Sequence, residues 1–319
     1  MEGPGVPSRP SSRLQYPVVL QKPPAVVPTD PDVLARAYAA CEAMARSHYE
    51  NFPVASRLLP KRMRPHVAAV YAFARVADDF ADEGSRPVGE RYRLLDDWGA
   101  RLHASMAGAP AGGDDRDALI FTALAASIRT LQLPVGLFDD LLSAFRQDVE
   151  TRRYRTWADV LDYCRRSANP VGRLVLRIAG YEDPALDRSS DALCTALQLA
   201  NFWQDFGRDW HAGRLYVPLD DCDACGAREA DLETGQMTPG WRAAMRLVAD
   251  RTQVLFTDGR AVCDGVRGRL RLELRLTWLG GARVLERVEA GGFDVLRHRP
   301  TLGAADAPVL LWRAFRWRS

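Results

Sequence analysis

Two segments of the chain place oxygen-bearing side chains on one face of a helix that is otherwise apolar. In the first segment, residues 71–82, Asp78 and Asp82 are four residues apart and Asp79 lies beside them. Residues at this spacing share a helix face, where two like charges repel each other. The neighbouring residues are Ala, Val and Phe, which predict a largely buried helix. Buried carboxylates are unfavourable unless a cation pairs with them.

The second segment repeats this geometry about 120 residues later, with Asn201, Asp205 and Asp209 at intervals of four and Gln198 three residues before Asn201. All donors are oxygen atoms, and such ligands favour Mg²⁺, which completes its shell with water and substrate phosphates. Either segment alone also fits a solvated polar face. Together they predict two faces that meet across a cavity and hold Mg²⁺ against a diphosphate, with the metal as a Lewis acid on the leaving group.

Two arginines accompany these segments. Arg75 precedes Asp78 by three residues and shares its helix face. It is a candidate diphosphate ligand, although an intrahelical ion pair explains it as well. Arg214 follows the second segment. We interpret it as a diphosphate donor because of its neighbourhood, and a loop charge is the alternative; the planar arginine fork suits phosphate recognition.

Helical patterns dominate the chain after a Pro-rich start. Residues 1–30 predict a disordered arm, and residues 31–319 predict one all-α domain that begins with Asp30 as a cap and Pro31 in the first helical position. Residues 211–239 read mostly as loop, and Pro170 should bend the helix that contains it. The predicted helices are 31–50, 65–81, 88–107, 115–132, 134–151, 156–179, 188–210, 240–257, 268–290 and 306–317.

Composition excludes several classes of function. The net charge of +2 gives no electrostatic reason to expect nucleic acid as a partner. No signal peptide, no apolar run of about 20 residues and no G-x-G-x-x-G fingerprint is visible, so we expect a cytoplasmic enzyme that does not use NADPH. The six cysteines suggest no disulfide framework. Residues 310–318 are basic and aromatic, which fits either a last core helix or peripheral contact with the inner membrane.

From about residue 35 to residue 290 the chain resembles the squalene/phytoene synthase family. The resemblance implies an all-helical isoprenoid synthase fold with a central hydrophobic cavity, an isoprenoid diphosphate substrate, and two or three Mg²⁺ ions bound with it. The first motif matches at Tyr71, Arg75, Asp78 and Asp82, and the second at Gln198, Asn201, Asp205 and Asp209, followed by Arg214, Leu215 and Tyr216. The implied metal ligands are Asp78, Asp79, Asp82, Asn201, Asp205 and Asp209. The implied substrate ligands are Arg75, Gln198, Arg214, Tyr216 and Asn51.

Two segments depart from the usual family pattern. Residues 48–56 read His-Tyr-Glu-Asn-Phe-Pro-Val-Ala-Ser in place of a serine-containing segment, a departure at the position of the usual serine contacts with phosphate. Residues 163–173 read Tyr-Cys-Arg-Arg-Ser-Ala-Asn-Pro-Val-Gly-Arg where condensing members have a small Val-Ala-Gly-like stretch. Both segments resemble the hydroxysqualene synthase branch of bacterial hopanoid pathways. That resemblance implies ionisation of presqualene diphosphate, rearrangement of the cation and its capture by water.

Three residues are candidates for catalysis. Asn169 is a polar residue where relatives are small and apolar, so it is a candidate to hold the water; Tyr71 and Tyr163 are the others. A structural role explains Asn169 equally well, because a polar side chain next to Pro170 can satisfy the backbone at the bend. Both tyrosines can likewise be aromatic residues of the core without a catalytic role. The main alternative function is a synthase that condenses two prenyl diphosphates to presqualene diphosphate or phytoene. A catalytically inactive helper is disfavoured because both aspartate motifs are intact, and a separate downstream reductase is compatible with the sequence.

Overall fold

The computed structural model describes residues 30–47, 58–82, 86–109 and 113–317. Within these ranges the chain is helical, and its only bridge is an isolated parallel one between Arg153 and Leu215. The predicted all-α class is therefore confirmed. Residues 1–29 and the segment that contains Asn51 lie outside the described residues.

The helices are α1 (Pro31–Ser47), α2 (Arg64–Asp82), α3 (Val88–Met106), α4 (Arg116–Leu131), α5 (Gly136–Asp148), α6 (Trp157–Ser167), α7 (Asn169–Ala179), α8 (Pro184–His211), α9 (Leu219–Cys225), α10 (Glu229–Glu233), α11 (Pro239–Gly259), α12 (Ala261–Gly265), α13 (Gly268–Ala290) and α14 (Asp306–Phe315).

Side-chain caps fix two helix starts where the sequence predicted them. The backbone N–H of Asp32 donates to Asp30 Oδ1 at 2.8 Å, beside the Pro31 that opens α1. At the start of α6, Thr156 and Asp159 form a reciprocal capping box with N···O distances of 3.2 and 2.8 Å. These bonds satisfy N–H groups that a helix start otherwise leaves without partners.

The structure corrects two predictions of local structure in part. The single helix expected over residues 156–179 is divided into α6 and α7 at Ala168, because Pro170 has no N–H to continue the ladder. Residues 211–239, expected to be mostly loop, contain the short helices α9 and α10. Helices of five to seven residues carry too few turns to show an apolar period in the sequence.

The core holds α2 and α8, the two helices that carry the acidic segments. On α2, the ring of Phe73 lies 5.8 Å from that of Trp98 and 5.5 Å from that of Phe138, measured between centroids. On α8, the fully buried Trp203 donates through Nε1 to Thr252 Oγ1 of α11 at 2.9 Å. Large buried aromatic rings fix each helix about its own axis, and therefore fix where its polar face points.

None of the helices in the described ranges combines the length and the apolar character that a bilayer-spanning segment requires.

Candidate active site

The last turns of α2 carry the first acidic face. Arg75 Nη2 lies 2.6 Å from Asp79 Oδ1, and its Nη1 lies 3.6 Å from Asp78 Oδ2, so Arg75 does form the intrahelical ion pairs that its spacing allowed. Burial among the helices, together with the nearby Asp82, raises the pKa of Asp78 to about 6. Arg75 thus pairs with two of the three carboxylates of this face, Asp78 and Asp79, on its own helix.

The second acidic face meets the first through Arg214. After α8 ends at His211, Gly213 takes a positive φ of 79°, and the N–H of Arg214 donates to the carbonyl of Asp209 at 2.7 Å. This turn directs the guanidinium back to α2, where Nη1 donates to the two carboxylate oxygens of Asp82 at 3.0 and 2.9 Å. Its Nε lies 3.6 Å from Asp209 Oδ1. The two faces therefore lie on either side of one guanidinium group.

Negative charge predominates around this guanidinium. Burial raises the pKa of Asp209 to about 6; Arg214 opposes the rise, and Asp205 and Asp82 add to it. Burial alone would lower the pKa of Arg214, but Tyr216, Asp82 and Asp209 outweigh it and raise that pKa. Carboxylates with raised pKa values beside one another mark a place where a further cation is favourable.

A short backbone pairing fixes the segment that carries Arg214 and Tyr216. The N–H of Leu215 donates to the carbonyl of Arg152 at 2.9 Å, and the N–H of Leu219 donates to the carbonyl of Tyr154 at 3.0 Å. The residues after α5 and the residues after α8 are thereby held side by side, on the isolated bridge described above.

Four aromatic rings form a wall beside the carboxylates. The rings of Phe202 and Tyr216 stack with centroids 3.6 Å apart, and Tyr154 lies 5.7 Å from Tyr216. Tyr163 completes the group, 6.1 Å from Phe202 and 6.3 Å from Tyr216. Aromatic faces carry negative potential, so such a wall can stabilise positive charge on a hydrocarbon.

Asp148 is a functional candidate that sequence reasoning missed. The hydroxyl of Tyr163 donates to Asp148 Oδ2 at 2.8 Å. Burial raises the pKa of Asp148 to about 7; the Tyr163 bond opposes this, and Asp82 and Asp78 add to it. The ionisation of Asp148 is therefore coupled to the charge of the first acidic face. Asp148 has no acidic partner at helical spacing, so no sequence pattern identified it.

Arg299 is the second candidate that the sequence did not reveal. It donates to Asp205, with Nη2 at 3.2 Å from Oδ2, across 94 residues of chain. Next to it, Gln204 Nε2 donates to the carbonyl of Pro300 at 2.6 Å. The segment between α13 and α14 therefore packs on α8 and closes one side of the site.

We expect Gly207→Ala to disturb this closure. A Cβ at Gly207 would lie 2.2 Å from the carbonyl oxygen of Leu296, a backbone atom, so the segment that carries Arg299 has to shift. Overpacking of this kind lowers the free energy of unfolding by about 1–3 kcal/mol. Denaturant unfolding measures this loss of stability, and turnover should fall in the same variant.

The control is Gly280→Ala on α13, where the Cβ would meet only Leu302 at 3.8 Å. Alanine should stabilise that helix by about 0.5–1 kcal/mol. Equal effects at both positions would contradict the close packing.

The remaining predicted residues lie on α2, α7 and α8. Asn169 is buried at the start of α7, and its Oδ1 accepts a hydrogen bond from Thr195 Oγ1 of α8 at 2.9 Å. The buried hydroxyl of Tyr71, one turn before Arg75 on α2, has no hydrogen-bond partner in the described part of the chain. Gln198 lies partly buried on α8, one turn before Asn201. The roles of these residues stay predictions.

An open cleft of about 420 Å³ lies at the second acidic face. Its lining residues are Asn201, Phe202, Asp205, Arg208, Asp209, Ala212 and Arg214. In the described ranges no three His, Cys, Asp or Glu side chains converge closely enough to form a complete metal cage. Mg²⁺ does not require one, because it takes one or two carboxylates per ion and fills its shell with water and substrate phosphates. An oxygen-only donor set, carboxylates with raised pKa values and the unpartnered Tyr71 hydroxyl beside them fit such an ion.

Comparison with known proteins identifies the family. Residues 45–306 match the family model for squalene/phytoene synthase. A hydroxysqualene synthase of Zymomonas mobilis is 40% identical over 220 residues, which are 68% of this chain and 71% of that protein. A hydroxysqualene synthase of Sinorhizobium fredii is 37% identical over 235 residues, 73% of this chain and 76% of that protein.

Solved structures agree with this assignment. The crystal structure of squalene synthase HpnC from Alicyclobacillus acidocaldarius is 41% identical, with a TM-score of 0.76 over 83% of this chain and 97% of that one. A dehydrosqualene synthase in complex with a ligand is similar in fold, with a TM-score of 0.78, 23% identity, and coverage of 90% and 98%. The isoprenoid synthase fold implied by the sequence motifs is thus confirmed. The chain belongs to the squalene/phytoene synthase family of enzymes.

Proposed function

We propose that the enzyme converts presqualene diphosphate and water to hydroxysqualene and diphosphate in a Mg²⁺-dependent reaction. One observation carries the proposal: Arg214 joins the acidic faces of α2 and α8 directly beside a wall of aromatic rings. Such a site combines a charged end for a diphosphate with an apolar, electron-rich end for a carbocation. The relatives named hydroxysqualene synthase support this reaction over others of the family.

The charged end binds the diphosphate and assists its departure. The carboxylates of α2 and α8 would hold Mg²⁺, which supplies Lewis-acid stabilisation of the leaving group. Arg75 and Arg214, which now pair with carboxylates, are positioned to turn their guanidinium groups to the phosphate oxygens. The C–O bond to the diphosphate breaks, and its electron pair leaves with the diphosphate oxygen. Fixed positive groups stabilise the charge that develops there.

The apolar end controls the fate of the cation. The wall of Tyr154, Tyr163, Phe202 and Tyr216 stabilises positive charge and excludes bulk water. The cation rearranges, the oxygen of one water molecule bonds to carbon, and one proton is released. We propose that Asn169 holds this water, because Thr195 orients its amide from α8.

Product analysis tests the proposal. The purified enzyme is incubated with presqualene diphosphate and Mg²⁺, without a reductant, and then with farnesyl diphosphate alone. We expect hydroxysqualene from the first reaction and no product from the second. Formation of presqualene diphosphate from farnesyl diphosphate, without consumption of added presqualene diphosphate, would instead identify a condensing synthase. A requirement for NADPH would also contradict the proposal.

We expect Asn169→Ala and Asn169→Gly to change the product profile. Loss of one hydrogen bond to the attacking water should lower the ratio of hydroxysqualene to other cation-derived products by about tenfold, or ~1.4 kcal/mol. Chromatography of the products measures this ratio. Thr195→Ser, which keeps the hydroxyl group that donates to Asn169, is the matched control and should retain the original profile. An unchanged ratio in both Asn169 variants would rule out a role in holding the water.

A further inference from the structure

The C-terminal helix α14 has apolar residues on two opposite faces. One face packs on α13 and includes the buried Ala314 and the half-buried Leu310. The other face occupies positions i, i+3, i+4 and i+7, which share one side of a helix. Its residues are Pro308, Leu311, Trp312 and Phe315, and all four are exposed. Trp312 is 57% exposed and Phe315 is 74% exposed, values that are high for large apolar side chains. We call these four residues the outer stripe.

The helix is firmly anchored by its inner side. At its start, the buried Asp306 accepts from Arg287 at 2.8 Å. Just past its end, Trp317 Nε1 donates to Asp264 at 3.2 Å, and the guanidinium of Arg260 lies 4.1 Å from the Trp317 ring. The outer stripe is therefore held outward by a fixed helix, and its exposure does not come from loose attachment of the chain end.

The charged groups around α14 favour an anionic partner. Arg313 and Arg316 are exposed on the helix itself, and Arg316 lies 5.1 Å from the ring of Trp312. The carboxylates near the helix already have arginine partners. These pairs are Asp264 with Arg275 at 2.8 Å, Glu286 with Arg283 at 2.7 Å, and Asp306 with Arg287 at 2.8 Å. Arg313 Nη1 also lies 4.0 Å from Glu286 Oε1, the longest of these contacts, so Glu286 is shared between two arginines. The flank of the outer stripe thus carries a net positive charge.

We propose that α14 docks the enzyme on the surface of a bilayer that contains anionic lipids. The outer stripe would lie at the boundary between headgroups and acyl chains, while Arg313 and Arg316 contact lipid phosphates. A helix with Trp and Phe on one side and arginines on its flank has the composition of an interfacial helix.

A second copy of the chain is a weaker candidate for this face. The exposed fractions of the apolar side chains on α14 correspond to an area on the order of 500 Å², below the ~800 Å² per partner of a stable interface. A bilayer has no such threshold, because each inserted apolar side chain contributes by itself.

A short chain segment links α14 to the active site. Residues 299–306 connect the two directly: Arg299 donates to Asp205, and Arg287 of α13 donates to the carbonyl of Thr301. In the same segment Leu302 is a further exposed apolar residue. Docking requires no turnover, so vesicle binding tests it separately from the proposed reaction.

Vesicle sedimentation with the full chain tests the docking. The vesicles contain phosphatidylcholine alone, or equal parts of phosphatidylcholine and phosphatidylglycerol. We expect at least about tenfold tighter binding to the anionic vesicles, because basic residues near an anionic surface add to the apolar contribution. The double variant Trp312→Ser/Phe315→Ser should lose about tenfold or more of this binding. The double variant Arg313→Gln/Arg316→Gln should lose most of the preference for anionic lipid.

A matched control tests whether vesicle binding depends on the outer stripe or on any exposed apolar residue. Val254→Ser on α11 removes another exposed apolar residue, 59% exposed, and should leave vesicle binding unchanged. Circular dichroism melting verifies that every variant is folded. Equal binding of the original chain and Trp312→Ser/Phe315→Ser would overturn the proposal, as would absence of binding to both vesicle types. The proposal would also be overturned if the original chain is a dimer that does not bind vesicles and Trp312→Ser/Phe315→Ser is a monomer. That result would show that the outer stripe contacts a second copy of the chain.

Discussion

Replacing Asp78 with alanine is expected to lower the turnover of presqualene diphosphate by about 10²- to 10³-fold at saturating Mg²⁺, the loss typical when one electrostatic group at a developing charge is removed. Asp78 shares its helix face with Asp82, which Arg214 connects to the second acidic face. Loss of this oxygen donor should also raise the Mg²⁺ concentration required for half-maximal rate. A Mg²⁺ titration of the initial rate measures both effects. Asp205→Ala on the opposite helix should behave in the same way.

The fold should survive the Asp78 substitution. Burial and like charge raise the pKa of this carboxyl to about 6, so its removal relieves repulsion and should not lower the melting temperature. The matched control is Asp97→Ala on α3, whose carboxylate is 60% exposed and pairs with Arg93 at 3.0 Å. Surface pairs of this kind contribute ~0–1 kcal/mol, so turnover and stability should both stay near the original values. Near-normal turnover in Asp78→Ala and Asp205→Ala would remove the proposed metal site.

Features set by neighbouring residues were predictable from the sequence. The capping box of Thr156 and Asp159, and the start of α1 at Pro31, depend on residues within three positions of one another. The arrangement of Asp78 and Asp82 on one face of α2 follows from helical period alone. The all-α class followed in the same way, since helical period recurred through most of the chain.

Features set by tertiary contacts were not predictable. Asp148 became a site candidate only when the structure placed the Tyr163 hydroxyl 2.8 Å from its carboxylate, across a turn between two helices. Arg299 reaches Asp205 across 94 residues, and nothing near it in the sequence distinguishes it from other arginines. Arg214 was located by its neighbourhood, but its bond to Asp82 depends on the turn at Gly213 and on the backbone pairing that follows. Such contacts depend on how α2, α5 and α8 pack together.

Asp148→Asn is expected to stabilise the folded chain at high pH. Burial raises the pKa of the Asp148 carboxyl from 3.8 in the unfolded chain to about 7 in the folded one. Below about pH 4 the group is protonated in both states. As the pH rises from about 4 to 7, the unfolded chain releases this proton while the folded chain retains it, so the stability contributed by the protonated carboxyl is lost. Asparagine has the same shape, cannot ionise, and can still accept the bond from Tyr163.

The expected result is a difference in unfolding free energy that grows with pH. At pH 8 the Asp148→Asn variant should be more stable than the original chain by about 2–4 kcal/mol, since each unit of pKa shift is worth ~1.4 kcal/mol, and the difference should vanish near pH 4. Urea unfolding across this range measures it, with Asp97→Asn as the control that should show no such trend. Turnover at pH 8 should fall in the same variant, because the negative charge beside the aromatic wall is gone. If this difference stays constant with pH, the Asp148 carboxyl has the same pKa in the folded and unfolded chain. In that case the charge beside the aromatic wall does not destabilise the fold, which would contradict the prediction.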